Sequence, residues 1–278
     1  HASLVAARRL NPLNTDHSAN LARLHRAWAF TDAGTAANLN DPNSLRELLL
    51  SDPDLVNRDR LDRSLAYYRQ TLSLSPNNAG LWNELATVQF ILNDLTGAQA
   101  TLQRSLDLDR QFSPTYLLLG DVRDAAGGGA GALDAYRRAA ELAPNNTSVL
   151  SAAGVASARA GDADAAVAAF RRIIQIETNT LESAAAQLDQ LDAVAAAAGG
   201  YARLQSSATN RQGLLQGQIN SRRTQISLSY RNIALVLRDA GRIEEALAAA
   251  RQAAEYAGQN DLPAIEQLIA DLQERQTP

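Results

Sequence analysis

Of the three histidines, His17 and His25 are the pair whose type and spacing could support metal binding. They lie eight residues apart on one predicted helix, which separates them by about 12 Å at 1.5 Å per residue. That distance is too long for a shared metal ion, and Asp16 beside His17 does not complete a ligand set. We therefore predict no metal site and interpret both histidines as surface or packing residues.

Other residue types that could carry catalysis also lack the required context. Carboxylates occur in close pairs at Asp107/Asp109, Asp162/Asp164, Asp189/Asp192 and Glu244/Glu245. All fall in predicted turns or on exposed helix faces, and no pattern brings two of them into one cleft. The run Gly127-Gly128-Gly129 lacks the lysine and the strand-to-helix context of a phosphate loop. With no cysteine and no Gly-x-Ser-x-Gly elbow, the sequence predicts neither enzyme activity nor a cofactor.

The composition favours closely stacked helices. Of 278 residues, 46% are hydrophobic but only 5% are aromatic, so alanine and leucine must form most of the core. A net charge of −4 gives no basic footprint for nucleic acid. No apolar run approaches the length of a membrane span.

The most regular stretch, Ser113–Asn146, predicts two short helices joined by a glycine-rich turn. Small and bulky residues recur at helical spacing in both halves: Tyr116, Leu119, Gly120 and Arg123, then Ala132, Tyr136 and Ala139. Pro144 then ends the second helix. The same spacing returns with a 34-residue period in 79–112 and 147–180, and again in 227–260.

This pattern resembles the tetratricopeptide repeat (TPR), in which small residues let paired helices approach and bulky residues fill the space between them. The resemblance implies an all-α fold, a right-handed superhelical solenoid of antiparallel helix pairs over residues 1–278. A different helical hairpin array is the alternative.

The remaining segments are assigned around these repeats. Residues 1–14 have the spacing of a second helix without its first, which predicts that the sequence is part of a longer protein. Residues 15–78 form one repeat enlarged by an insertion near 32–54, with a short helix around Leu45–Leu50; the insertion is either a partner contact or a locally variable turn. Residues 181–226 form an irregular helical hairpin, with a break at Gly199-Gly200 and a second helix from Tyr201. Residues 261–278 form a capping helix.

The TPR resemblance implies binding of a protein or peptide in a concave groove lined by the first helix of each pair. The corresponding groove residues are Asn83, Thr87, Phe90, Leu117, Asp121, Asp124, Ser151, Val155, Arg159, Arg231, Leu235 and Arg238. This groove would be acidic in the middle and flanked by arginines toward the C-terminus. The chaperone-binding TPR subclass uses lysine and asparagine for a peptide carboxylate. Here lysine is absent and Thr87 replaces the asparagine, which argues against that activity.

Three strings carry a narrower resemblance: RLNPLNTDHSANLARLHRAWA, LSPNNAGLWNELATV and TYLLLGD. They are similar to the soluble TPR tail of bacterial O-antigen ligase or polymerase-like membrane proteins. This implies a non-catalytic interaction domain that is membrane-associated through a missing upstream region, with glycan-assembly machinery among its partners. The alternative is a cytoplasmic scaffold or regulator with a missing effector domain.

Overall fold

The computed structural model describes residues 1–197 and 202–276, which fall into two compact units, residues 1–143 and the residues from 144 onward. Unit 1 contains α1 Ala2–Leu10, α2 Thr15–Trp28, α3 Pro42–Ser51, α4 Arg58–Leu74, α5 Ala79–Ile91, α6 Leu95–Leu108, α7 Ser113–Ala125 and α8 Gly129–Leu142. Unit 2 contains α9 Thr147–Arg159, α10 Ala163–Ala197, α11 Ala202–Asp239, α12 Ile243–Tyr256 and α13 Leu262–Gln276. None of these described helices is both long and apolar enough to cross a membrane.

The same turn joins the two helices in each of four pairs. Its first residue has a left-handed backbone, with φ values of 63°, 80°, 79° and 75° at Asn93, Gly127, Gly161 and Gly241. The next residue donates its N–H to a carbonyl five residues back, as Asp94 does to Gln89 at 2.8 Å and Gly128 to Arg123 at 2.8 Å. This is the Schellman closure of a helix C-terminus. The Gly127-Gly128-Gly129 run therefore lies at a turn between helices.

A matched pair of residues sets how closely the two helices of a repeat approach. A Cβ added to Gly120 would lie 2.4 Å from the Tyr136 ring, and one added to Gly154 would lie 3.0 Å from the Phe170 ring. The equivalent pairs in the other two repeats are Ala86 with Leu102 and Ala234 with Ala250. Glycine thus occurs where the facing residue is aromatic, and alanine where it is smaller.

A serine hydroxyl also joins the two helices in several pairs. Ser105 donates to the Ala79 carbonyl at 2.9 Å, Ser113 to Ala139 at 3.0 Å, and Ser227 to Ala253 at 2.8 Å. In each case one residue of the pair is serine and the other alanine. With the 34-residue spacing and the shared turn, these contacts confirm an all-α array of antiparallel helix pairs of the TPR type.

The insertion in unit 1 is well packed. Between α2 and α4 the chain forms a 3-10 helix, Thr31–Ala36, then α3, then a second 3-10 helix, Pro53–Leu55. Leu45 and Leu49 of α3 are buried, and α3 packs against α5. The Asn57 N–H donates to the Ala29 carbonyl at 2.7 Å and closes the base of the insertion.

Unit 2 differs from a regular array in its two long helices. The predicted boundaries at residues 180 and 226 fall inside α10 and α11, which are 35 and 38 residues long. Neither boundary has a proline or glycine nearby to end a helix, so each helix continues. The predicted Gly199-Gly200 break and Tyr201 lie outside the described residues. The Arg222 guanidinium pairs at 2.9 Å with Glu177, whose side chain is 3% exposed, and so links α10 to α11.

Candidate functional site

Two predicted groove residues in unit 1 are not accessible. Phe90 is fully buried in a cluster with Leu118 and Val122, and Thr87 is only 8% exposed. The Thr87 hydroxyl donates to the Asn83 carbonyl of its own helix at 3.0 Å. Their prediction as free groove residues is therefore wrong, because repeat spacing does not show what covers the groove.

Phe90 packs among residues of α6 and α7, and it is also in contact with α3. The Arg46 guanidinium carbon lies 5.5 Å from the Phe90 ring centroid, and Arg46 Nε donates to Asn93 Oδ1 at 2.9 Å. Asn43, also on α3, lies near the Asp121 carboxylate of α7 and stabilises its charged form. We call Phe90, Asn93 and Asp121 the α3-covered surface.

Asp121 has a perturbed environment within this surface. The Tyr136 hydroxyl donates a hydrogen bond to Asp121 Oδ1 at 2.8 Å. Burial raises the pKa of Asp121 to about 6, and the nearby charges of Asp41 and Asp124 also raise it. The interactions with Asn43 and Tyr136 lower the pKa and oppose part of this effect.

The other predicted groove residues of unit 1 are Asn83, Leu117 and Asp124, and all three are half-buried. Asn83 Nδ2 donates to Thr115 Oγ1 on the next first helix at 3.4 Å. Asn83 therefore contributes to packing between neighbouring repeats.

Unit 2 contains an open cavity of about 400 Å³ between α9 and α11. Three predicted groove residues line it, Val155, Arg159 and Leu235. Phe170 and Val236 also line this cavity, so the lining includes several apolar side chains. Val155 is 38% exposed, which leaves the cavity an accessible aliphatic surface. We call this the unit 2 cavity.

Charged groups lie on the cavity and beside it. Arg159 is exposed, and Arg238 pairs with the cavity residue Asp239 at 2.9 Å. Arg231 Nε is buried, and no described residue accepts a hydrogen bond from it. Ser151, the remaining predicted groove residue of this unit, is half-buried and is not among the residues that line the cavity.

Eight lining residues were not predicted, and three of them, Asn232, Val236 and Asp239, lie on α11. Each of these three immediately follows a predicted groove residue: Arg231, Leu235 and Arg238, respectively. The α11 residues that face the cavity are thus shifted by about one position along the sequence from those that the TPR pattern predicts. In the sequence, only the apolar run Leu235-Val236-Leu237 could have indicated which face of α11 lies at the cavity.

The histidine and carboxylate side chains of the described residues are dispersed. No group of three or more histidine and carboxylate side chains there could hold a metal ion. His25 is 1% exposed and stacks on Tyr67 with ring centroids 5.4 Å apart. Burial, followed by the charge of Arg60, lowers the pKa of His25, as expected for a packed neutral imidazole.

Comparison with known proteins gives resemblances of fold at low identity. No protein-family model matches the sequence, and no curated protein matches it significantly. A crystal structure of MamA is 17% identical with a TM-score of 0.48, over 77% of this chain and 89% of MamA. YrrB, described as a TPR protein with an unusual peptide-binding site, is 18% identical with a TM-score of 0.48, over 88% of this chain and 98% of YrrB. Because both TM-scores are below 0.5, we draw no functional conclusion from these resemblances.

Proposed function

We propose that this chain is a protein-protein interaction domain, and that the unit 2 cavity binds a peptide segment of its partner. The observation that carries the proposal is the accessible cavity of about 400 Å³ lined by Val155, Leu235 and Val236. Its size lies within the range of small-ligand pockets, and its walls suit aliphatic side chains. An extended or helical segment would insert one or two such side chains there.

The charges beside the cavity favour an acidic partner segment. Arg159 lines the cavity, and Arg238 pairs with the lining residue Asp239, so these groups carry two positive charges and one negative charge. We therefore propose a partner segment with aliphatic residues next to aspartate or glutamate. Charge complementarity of this kind also increases the association rate.

The proposal is tested by selecting peptides from a displayed library and measuring their affinity by calorimetry. In the variant Leu235→Glu, a carboxylate enters the cavity, and we expect affinity for the selected peptides to fall at least tenfold. Leu214→Glu is the matched control, because Leu214 lies on the same helix and is 70% exposed. Equal binding by Leu235→Glu and wild type would show that the cavity is not the site.

We further propose, from the three strings with the narrower resemblance, that the domain is the soluble part of a membrane-bound O-antigen polymerase or ligase-like protein. A cytoplasmic scaffold or regulator is the second candidate. An immunoblot of fractionated source cells distinguishes them. A band much larger than 29.7 kDa that leaves the membrane fraction only with detergent supports the first. A band in the soluble fraction supports the second and contradicts the first.

A further inference from the structure

The helix α3 has the local features of an independent helical segment. Asp41 caps it by accepting the Asn43 N–H at 3.0 Å and the Ser44 hydroxyl at 2.6 Å, and Pro42 occupies its first turn. These contacts satisfy its N-terminus without help from the surrounding repeats. The cap would favour helix formation by this segment when it binds a surface.

The apolar face of α3 consists of leucines at helical spacing. Leu45 and Leu49, one turn apart, are 1% and 6% exposed and belong to the cluster that includes Leu81, Leu85 and Val88 of α5. Leu50, on the other side of α3, is 53% exposed. The burial is therefore one-sided, as in a helix that lies in a groove.

Polar and aromatic contacts fix α3 on the α3-covered surface. The Arg46 guanidinium lies over the Phe90 ring and hydrogen-bonds to Asn93, while Asn43 lies near the Asp121 carboxylate. These contacts reach both α5 and α7, the first helices of two successive repeats.

We propose that α3 is an internal ligand, and that the surface under it recognises a partner helix with the same chemistry as α3. The partner helix would carry asparagine, leucine, arginine and leucine in the order and spacing of Asn43, Leu45, Arg46 and Leu49. Because α3 is tethered at both ends, its effective concentration at the surface is on the order of millimolar or higher. A partner must displace α3, so the surface is closed until a matching helix competes for it.

Release of α3 need not unfold the base of the insertion. Phe30 and Val56, which flank the insertion, are buried in the same cluster, and the residues next to them are joined by the hydrogen bond from the Asn57 N–H to the Ala29 carbonyl. Residues 38–40 and 52–54 on either side of α3 are exposed. The exchange would therefore involve residues 38–54 and leave the helix pair α2 and α4 in place.

The test uses the full chain and a fluorescein-labelled peptide of residues 39–54. In the variant Leu45→Ser/Leu49→Ser, α3 loses its apolar contacts, and we expect the labelled peptide to bind at least tenfold more tightly than to wild type. Adding Asp121→Ala should weaken this binding. Leu50→Ser is the matched control, since Leu50 is an exposed leucine on the same helix, and it should behave as wild type.

Two results would overturn the proposal. One is equal peptide binding by wild type and Leu45→Ser/Leu49→Ser, and the other is no binding by a variant whose circular dichroism shows native helicity. If the variant does not fold, protease sites are placed at residues 38–40 and 52–54 of wild type and cleaved. Native mass spectrometry should then show the excised helix retained and exchangeable for the labelled peptide. Loss of the helix without rebinding would also overturn the proposal.

Discussion

The Asp121 carboxyl, in the α3-covered surface, makes the stability of the chain depend on pH. Burial raises its pKa from the usual 3.8 to about 6, so the folded chain retains this proton at pH values where the unfolded chain has lost it. The contribution of this group to stability is therefore greatest below pH 3.8 and is lost as the pH rises through about 6. The groups that face Asp121 are Asn43, Tyr136, Asp41 and Asp124.

We expect Asp121→Asn to be more stable than wild type at pH 7, by on the order of 2–3 kcal/mol at most, with the difference vanishing near pH 4. The asparagine has the same shape and no charge to bury. Urea denaturation at several pH values between 4 and 7 measures the difference. Asp134→Asn, at an exposed position on α8, is the control. Parallel pH dependences of Asp121→Asn and wild type would contradict the predicted role.

Gly120 is required by its contact with Tyr136. A methyl group there would lie 2.4 Å from the ring, so we expect Gly120→Ala to destabilise the chain by about 1–3 kcal/mol. Gly217 is the control, because it lies inside α11 with nothing within 4 Å of an added Cβ. Gly217→Ala should stabilise by up to about 1 kcal/mol through helix propensity. Both free energies of unfolding are measured with urea. Equal effects would show that close packing at Gly120 is not the constraint.

One polar network joins three helices of unit 1. Arg23 of α2 donates to both oxygens of Glu84 on α5, at 2.9 and 2.7 Å. The hydroxyl of the buried Tyr68, on α4, donates to Glu84 at 2.8 Å. Burial raises the pKa of Tyr68, and the charge of Glu84 adds to the effect. Glu84 is therefore the shared acceptor for two helices.

We expect Glu84→Ala to reduce the free energy of unfolding by about 1–3 kcal/mol, because the buried Tyr68 hydroxyl loses its acceptor. Glu141→Ala is the matched control. Glu141 pairs with Arg138 on the surface of α8 with its side chain 64% exposed, and its removal should change stability by less than about 0.5 kcal/mol. If thermal and urea denaturation give the same loss for both variants, the network does not stabilise the three-helix contact.

The sequence predicted what depends on local spacing and missed what depends on distant contacts. The turns at Gly127 and Gly161 and the approach of Gly120 to Tyr136 follow from residues within one repeat. Phe90 was misassigned because it packs among side chains of α6 and α7 and under Arg46 of the insertion, contacts that lie outside its own helix. The continuity of α10 and α11 was missed because the repeat length suggested boundaries where the chain has no helix-breaking residue.

The fluorescence of the two tryptophans reports on the unfolding of unit 1 alone. Trp28 and Trp82 both lie in unit 1, whereas helical circular dichroism reports on both units. Stability in helical-repeat proteins is largely a sum of local and nearest-neighbour terms. Fluorescence and circular dichroism can therefore follow the units separately during unfolding.

We expect Leu272→Ala to affect the two signals unequally. Leu272 is fully buried in α13, which packs on α12, so truncation should destabilise unit 2 by about 2–5 kcal/mol. Urea denaturation should show a lower midpoint by circular dichroism and a smaller change by tryptophan fluorescence. Ile269→Ala is the control, because Ile269 on the same helix is only half-buried. Equal shifts in both signals would show that the units unfold as one.

The matched residues that face each other within a repeat limit how such a chain can be recombined. A second helix moved from one repeat to another would bring Tyr136 against Ala86, where the ring does not fit, or Leu102 against Gly120, where a void remains. Duplication or shuffling of this sequence therefore preserves folding only when the crossover falls between helix pairs. The unit that can be exchanged is the helix pair, because its two facing residues together set the distance between its helices.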